Sequence, residues 1–267
     1  MTYEWRDAPK ADFAVIGDPV KHSLSPKMHQ AAYEALGLPY RYVAIRVNVG
    51  EVGEAFHHLK SLGYRGVNVT VPHKEEALLQ SQNVDPLAQQ VRAANTFRLS
   101  DMACINTDAP GFLDTLSAFH PVKKSVLVLG AGGSARALIV ALLGAGWEIQ
   151  LYNRTQSKAD SIAESLQHPD LKVISNPDPR GACLILNTTS ASLVGAELPI
   201  DWDRAESGAW AYDLMYAKEP TPFLAKAAER GLATVDGLPL LVAQGARAFE
   251  WWLGLEAPRQ AMMEALR

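Results

Sequence analysis

The segment Ser125-Val-Leu-Val-Leu129 runs directly into Gly130-Ala-Gly-Gly-Ser-Ala-Arg136 and then the apolar stretch Ala137 to Leu143, and no other part of the chain constrains the fold as much. An unbroken apolar strand ends in a glycine turn, and a helical pattern begins beyond it. Gly130-x-Gly132-x-x-Ala135 is the strand–turn–helix fingerprint of a dinucleotide-binding unit. Gly130 permits the tight turn, Gly132 lets a pyrophosphate reach the backbone, and the small Ala135 packs helix on strand. Gly130, Ala131, Gly132, Gly133 and Ser134 would then hold phosphate oxygens on N–H groups at the positive end of the helix. A turn made for packing alone would use the same glycines.

The end of the next strand, Glu148 to Tyr152, bears on which dinucleotide is bound. An NAD site places Asp or Glu there for the ribose hydroxyls. This chain has Asn153-Arg154-Thr155, with Lys158 one turn further. Arg154 can grip a 2′-phosphate with two parallel hydrogen bonds, and Thr155 can donate a third. The pattern favours NADP(H), although a surface arginine on a solvated loop would look the same.

The rest of the chain alternates in the same way. Phe13 to Ile16, Tyr40 to Val47 and Gly66 to Val71 read as strands, with helices opening at Ser25-Pro26, at Glu51 and at Lys74. Ser25 reads as a side-chain N-cap with proline behind it. Ala94 to Leu99 and Ala103 to Asn106 suggest an edge hairpin. Strands at Leu171, Cys183, Trp210 and Ala233 extend the second half. The expected fold class is α/β in two domains. An N-terminal α/β substrate domain covers 1–110 and a Rossmann-type domain 111–239, with helices at 240–267 packing back on the first.

Composition narrows the function classes. The 267 residues carry 25 Lys and Arg against 29 Asp and Glu, a net charge of −4 that leaves no footprint for nucleic acid or an anionic membrane. Cys104 and Cys183 are far apart and match no metal-ligand spacing, so no metal is expected. The polar N-terminus is unlike a secretory signal, and Ala137 to Trp147 is too short to span a bilayer. A reduced, cytoplasmic enzyme acting on a small molecule fits these bounds, and a homodimer is compatible with them.

Two charged residues are candidates for chemistry. Lys74 sits in the first turn of its helix, where the macrodipole disfavours a cation, just beyond a strand end. It reads either as a proton-transfer group or as an exposed lysine offset by Glu75 and Glu76. Asp108 in Asn106-Thr-Asp-Ala-Pro-Gly111 reads either as its partner or as a capping aspartate. The hydroxyls of Ser23 and Ser25 at a helix start could receive a small carboxylate.

Several segments, in order, are similar to those of the shikimate dehydrogenase family. They are Gly17 to Pro26, Gly66-Val-Asn-Val-Thr-Val-Pro-His-Lys74, Ala94-Asn-Thr96, Asn106-Thr-Asp108, Gly130 to Gly133, Asn153-Arg-Thr155, Tyr212 to Tyr216 and Asp236 to Gln244. The resemblance implies NADPH-dependent, reversible reduction of 3-dehydroshikimate to shikimate, a step towards aromatic amino acids, in a cleft between the domains. It implies that Lys74 and Asp108 are the catalytic pair. Ser23, Ser25 and Tyr216 would hold the substrate carboxylate, and Thr70, Lys74, Asn95, Asp108 and Gln244 the ring oxygens. Gly130 to Ser134 would bind the pyrophosphate, and Asn153, Arg154, Thr155 and Lys158 the adenosine phosphate. Thr188, Ser190, Leu214 and Gly237 would line the rest of the cofactor site.

The chain departs from the family pattern at Ala109 and Pro110 after the Asn-Thr-Asp segment, at Cys104-Ile105 in the hairpin, and at Leu214 and Pro239. None of these removes a chemical group from the expected mechanism. A quinate/shikimate dehydrogenase using quinate or NAD is the alternative within the family. Arg154 argues against NAD, and the serine pair fits a shikimate-type site. A non-catalytic NADP-binding sensor is the alternative of another class. It would be free to lose Lys74 or Asp108, and this chain keeps both.

Overall fold

The computed structural model describes residues 1–267, except the side chains of residues 193 and 194. In chain order the strands are β1 (Thr2–Glu4), β2 (Phe13–Gly17), β3 (Tyr42–Arg46), β4 (Gly66–Val69), β5 (Asn83–Val84), β6 (Thr96–Arg98) and β7 (Ala103–Ile105). They continue with β8 (Ser125–Leu129), β9 (Glu148–Tyr152), β10 (Leu171–Val173), β11 (Leu184–Asn187), β12 (Trp210–Asp213) and β13 (Ala233–Val235). The helices are α1 (Ser25–Ala35), α2 (Val52–Ser61), α3 (Lys74–Leu78), α4 (Pro86–Val91) and α5 (Asp108–Thr115). After them come α6 (Gly133–Gly144), α7 (Gln156–Leu166), α8 (Pro222–Glu229), α9 (Leu238–Leu253) and α10 (Arg259–Glu264). The chain forms two compact units, one of Met1–Gly111 with Leu241–Arg267, the other of Phe112–Leu240.

The first unit is built on a mixed sheet ordered β1-β3-β2-β4-β6-β7-β5. The first four strands in that order run parallel, whereas β6 is antiparallel to both β4 and β7. All five residues of β2 are buried because both faces of the sheet are covered. Phe13 and Val15 pack with Met28, Tyr33, Val242, Phe249 and Met262 from α1, α9 and α10. Ala14 and Ile16, pointing the other way, pack with Val52, Phe56 and Leu59 of α2. Each such side chain is stabilised by about 1.5–3 kcal/mol on leaving water.

The second unit is an all-parallel sheet ordered β10-β9-β8-β11-β12-β13. Counted from β8 this is the doubly wound order 3-2-1-4-5-6 of dinucleotide-binding domains. The order reverses between β8 and β11, and ligands of such sheets bind beyond the strand ends at that point. Among the described residues no helix is long and apolar enough to cross a membrane.

The structure departs from the sequence expectations in several places. Ser25 is not the side-chain cap of α1. Leu24 already has helical backbone angles, and it is the Ser23 hydroxyl that accepts, at 3.3 Å from the Ser25 N–H. Helix α6 begins at Gly133, four residues earlier than its apolar run suggests, so Ser134 lies in its first turn. The hairpin is not the edge of its sheet, because β5 pairs outside β7. β1 is a further strand, paired to β3 through Thr2, Tyr3 and Glu4. Helices α4 and α8 carry Asp85-Pro86 and Thr221-Pro222, a capping side chain followed by proline at the first turn.

Candidate functional site

In the first unit, four elements converge on one carboxylate. Lys74 opens α3, just past the end of β4, and its carbonyl accepts from Ala94 N–H in the approach to β6. Asp108 opens α5. The capping role there falls to Asn106, whose Oδ1 accepts from Ala109 N–H at 3.1 Å, so Asp108 is free for another partner. Lys74 Nζ donates to Asp108 Oδ2 at 2.6 Å, with side-chain exposures of 14% and 11%. Helix α3 has only five residues, so its dipole is slight, and the carboxylate is the physical reason for a lysine at this place.

Asn95 supplies the other side of the cluster. Its Nδ2 donates to Asp108 Oδ1 at 2.9 Å and lies 3.5 Å from Gln244 Oε1. Gln244 can come this close because Gly111 lies under α9. A Cβ at Gly111 would be 2.9 Å from the Gln244 nitrogen. Thr70 follows β4 directly and is admitted by Gly17, where a Cβ would meet Thr70 Cγ2 at 2.5 Å. Ser25 is buried, and its hydroxyl makes no hydrogen bond among the described residues.

The second unit places the glycine turn at the switch point. Gly130 has φ +112°, and a Cβ there would lie 2.4 Å from Thr188 Oγ1, so both backbone and packing require glycine. Gly132 and Gly133 differ, since a Cβ on either would meet no atom within 4 Å. Packing does not demand glycine at those two positions, and both lie at the start of the twelve-residue helix α6, where the first backbone N–H groups have no partner within the helix. That is the cradle a pyrophosphate would fill. Arg154, Thr155 and Lys158 are exposed, and among the described residues neither cation has an acidic partner. Asn153 Nδ2 donates to the Thr155 carbonyl and shapes this loop.

Thr188 and Ser190 follow β11. The Thr188 hydroxyl is occupied by the Leu129 carbonyl at 2.8 Å, which leaves its methyl group and backbone for any ligand. Gly237 allows the segment after β12 to approach, since a Cβ there would be 2.1 Å from the Leu214 carbonyl and 3.2 Å from the Tyr216 ring. Leu214 is buried and Tyr216 half-buried.

Sequence reading did not single out the polar residues behind these sites. Asn68 lies within the fully buried β4, with Tyr42 O–H donating to its Oδ1 at 2.7 Å and its Nδ2 reaching Thr96 Oγ1 at 3.0 Å. Thr107 N–H donates to Asn95 Oδ1 at 2.8 Å and fixes that amide. In the second unit, buried Asp213 accepts from Asn187, Thr221 and Met215 N–H, and burial raises its pKa. The available signal was an Asn or Asp inside an apolar strand, which must find partners when buried.

The fold and these residues define the class, a two-unit α/β protein with a dinucleotide-type second unit. The profile of the shikimate dehydrogenase substrate binding domain matches residues 15–97, and that of the shikimate 5′-dehydrogenase C-terminal domain matches residues 237–267. The chain is 41% identical to the shikimate dehydrogenase (NADP(+)) of Moorella thermoacetica, covering 95% of this chain and 92% of that protein. It is also similar to solved structures. The shikimate dehydrogenase of Aquifex aeolicus has a TM-score of 0.90 at 37% identity, covering 98% of this chain and 99% of that one. The enzyme of Thermus thermophilus in complex with NADP(H) and shikimate has a TM-score of 0.88 at 39% identity, covering 96% and 98%. The chain belongs to the shikimate dehydrogenase family.

Proposed function

We propose that this protein catalyses the reversible, NADPH-dependent reduction of 3-dehydroshikimate to shikimate. The observation that carries the reading is the Lys74–Asp108 contact of 2.6 Å, with Asn95 and Gln244 beside it. The chemistry supplied by the bound dinucleotide is a hydride for the C3 carbonyl carbon. Lys74 then acts as the acid. Its ammonium donates a hydrogen bond to the carbonyl oxygen and gives up a proton as negative charge develops there. Asp108 keeps the ammonium oriented and accepts a hydrogen bond from a neighbouring ring hydroxyl. Asn95, Gln244 and Thr70 offer further polar contacts to the ring, and Ser23 and Ser25 to the substrate carboxylate. On the second unit, Gly130 to Ser134 would hold the pyrophosphate, and Arg154, Thr155 and Lys158 the 2′-phosphate.

The test is NADPH oxidation by the purified protein with 3-dehydroshikimate, run beside NADH and beside dehydroquinate. Turnover with the first pair alone is the expected result. Comparable rates with NADH or dehydroquinate would refute the stated specificity, and no turnover in any combination would refute the activity.

A further inference from the structure

The buried hydrogen bonds behind Asp108 have one direction. Asn68 Nδ2 faces the Asn95 main-chain carbonyl at 3.2 Å, so a flipped amide would set oxygen against oxygen. With Asn68 fixed this way, its Oδ1 must accept from Tyr42 O–H at 2.7 Å. Tyr42 is buried, and burial holds its pKa well above that of a free phenol, so it retains the proton it donates. Asn68 Nδ2 donates to Thr96 Oγ1 at 3.0 Å, and the Thr96 proton goes to Asn95 Oδ1 at 3.2 Å, either directly or by way of Thr107 Oγ1, which lies 3.3 Å from Thr96 Oγ1 and 3.2 Å from Asn95 Oδ1. Asn95 Nδ2 then donates to Asp108 Oδ1 at 2.9 Å, while Oδ2 receives Lys74.

We infer that Tyr42, Asn68 and Thr96 are positioning residues, forming with Asn95 a polarised relay whose donors all point towards the Asp108 carboxylate and hold it on Lys74. The link to turnover rests on the function proposed above, but the relay itself does not. Aligned dipoles in a dry interior reinforce one another and require no reorganisation during the reaction. A purely structural network would satisfy its polar atoms without any such common direction.

The variants are Thr96→Val, which keeps shape and removes the hydroxyl, Thr96→Ser, which restores it, and Tyr42→Phe, which removes the far donor. Reductive methylation with formaldehyde and cyanoborohydride, followed at Lys74 by peptide mass spectrometry, reads the clamp without needing turnover. Lys74 should react about threefold or more faster in Thr96→Val and in Tyr42→Phe than in wild type, with Thr96→Ser close to wild type. Under steady-state conditions kcat should fall about tenfold in Thr96→Val and about threefold in Tyr42→Phe. The double variant should be no slower than Thr96→Val alone, because cutting the relay once disconnects Tyr42.

Unchanged Lys74 labelling in both Thr96→Val and Tyr42→Phe would overturn the relay, as would Thr96→Ser behaving like Thr96→Val. So would additive losses of kcat in the double variant. If Thr96→Val does not fold, Tyr42→Phe labelling decides the matter. If wild type shows no turnover, the proposed function fails, and labelling still decides the relay.

Discussion

His29 offers a test of the structure that is independent of catalysis. The ring lies on α1, is fully buried, and stacks on Tyr42 at 4.4 Å between centroids. Among the described residues neither ring nitrogen has a hydrogen-bond partner, and burial lowers the pKa from 6.5 to about 3. Between those two values an unfolded chain binds a proton that the folded protein refuses. The unfolded state therefore carries one more proton, stability rises with pH through this window, and it is lost on acidification. The slope is about 1.4 kcal/mol per pH unit, so about 2 kcal/mol disappears between about pH 7.5 and about pH 5.0.

The perturbation is His29→Leu, which removes the titrating group and keeps an apolar filler beside Met28 and Gly245. At neutral pH two effects oppose each other. Losing unpartnered ring nitrogens relieves about 1–3 kcal/mol, and losing the stack on Tyr42 costs about 0.5–1.5 kcal/mol. Absolute stability at one pH is therefore a poor readout, and the difference between two pH values is the useful one. Urea unfolding of both proteins at about pH 7.5 and about pH 5.0 should show wild type losing about 2 kcal/mol more than the variant. Equal losses would mean that His29 is protonated, or partnered, in the folded protein, and the reasoning would be refuted.

Other consequences are as direct. Lys74→Ala should lower kcat about 10²- to 10⁴-fold and destabilise the fold by about 3 kcal/mol, because Asp108 is left buried without its cation; steady-state kinetics and urea unfolding read the two effects. Arg154→Ala should raise KM for NADPH about tenfold or more and leave KM for NADH nearly unchanged, since only the 2′-phosphate contact is lost. Gly130→Ala should cost about 1–3 kcal/mol in urea unfolding, because the backbone is left-handed and Thr188 is in the way. Gly132→Ala should leave stability within about 1 kcal/mol and weaken NADPH binding measured by fluorescence titration, because its Cβ meets only open space.

The readable parts of this molecule were those written in local pattern. The strand Ser125–Leu129, its glycine turn and Arg154 lie within 30 residues of one another, and each has a spacing that chemistry demands. Lys74 and Asp108 could be named, but periodicity gave no means of bringing them together. Their meeting depends on the antiparallel turn-back of β6 and β7 beside β4, a tertiary event. β1 was illegible for a different reason. Its three residues are too few to show an alternating pattern, and their side-chain contacts, Tyr3 on the core and Glu4 with Arg46 of β3, form only once the sheet exists. Ser25 misled because serine before proline signals a cap, whereas Leu24 takes the cap position and Ser25 is already the first helical residue.

The polar residues buried in the first unit do not all share one fate. Tyr42, Asn68, Thr96, Thr107 and Asn95 all find partners, and their bonds lead to Asp108. Asn106, off that line, is bonded as well, through the Ala93 carbonyl and Ala109 N–H. Among the described residues, the two His29 nitrogens, the Tyr33 hydroxyl and His73 Nδ1 are buried without hydrogen-bond partners. Burying an unpartnered polar atom costs about 1–3 kcal/mol, so a core selected for stability alone would have satisfied these groups or replaced them with apolar side chains. His29 stacks on Tyr42 at the far end of the path to Asp108, so its neutral ring places no charge against the dipoles that end on Asp108. A protonated His29 would put a cation beside Tyr42, at the end of the relay farthest from the carboxylate. Keeping the ring neutral, at the cost of acid stability, leaves Lys74 as the cation that Asp108 answers.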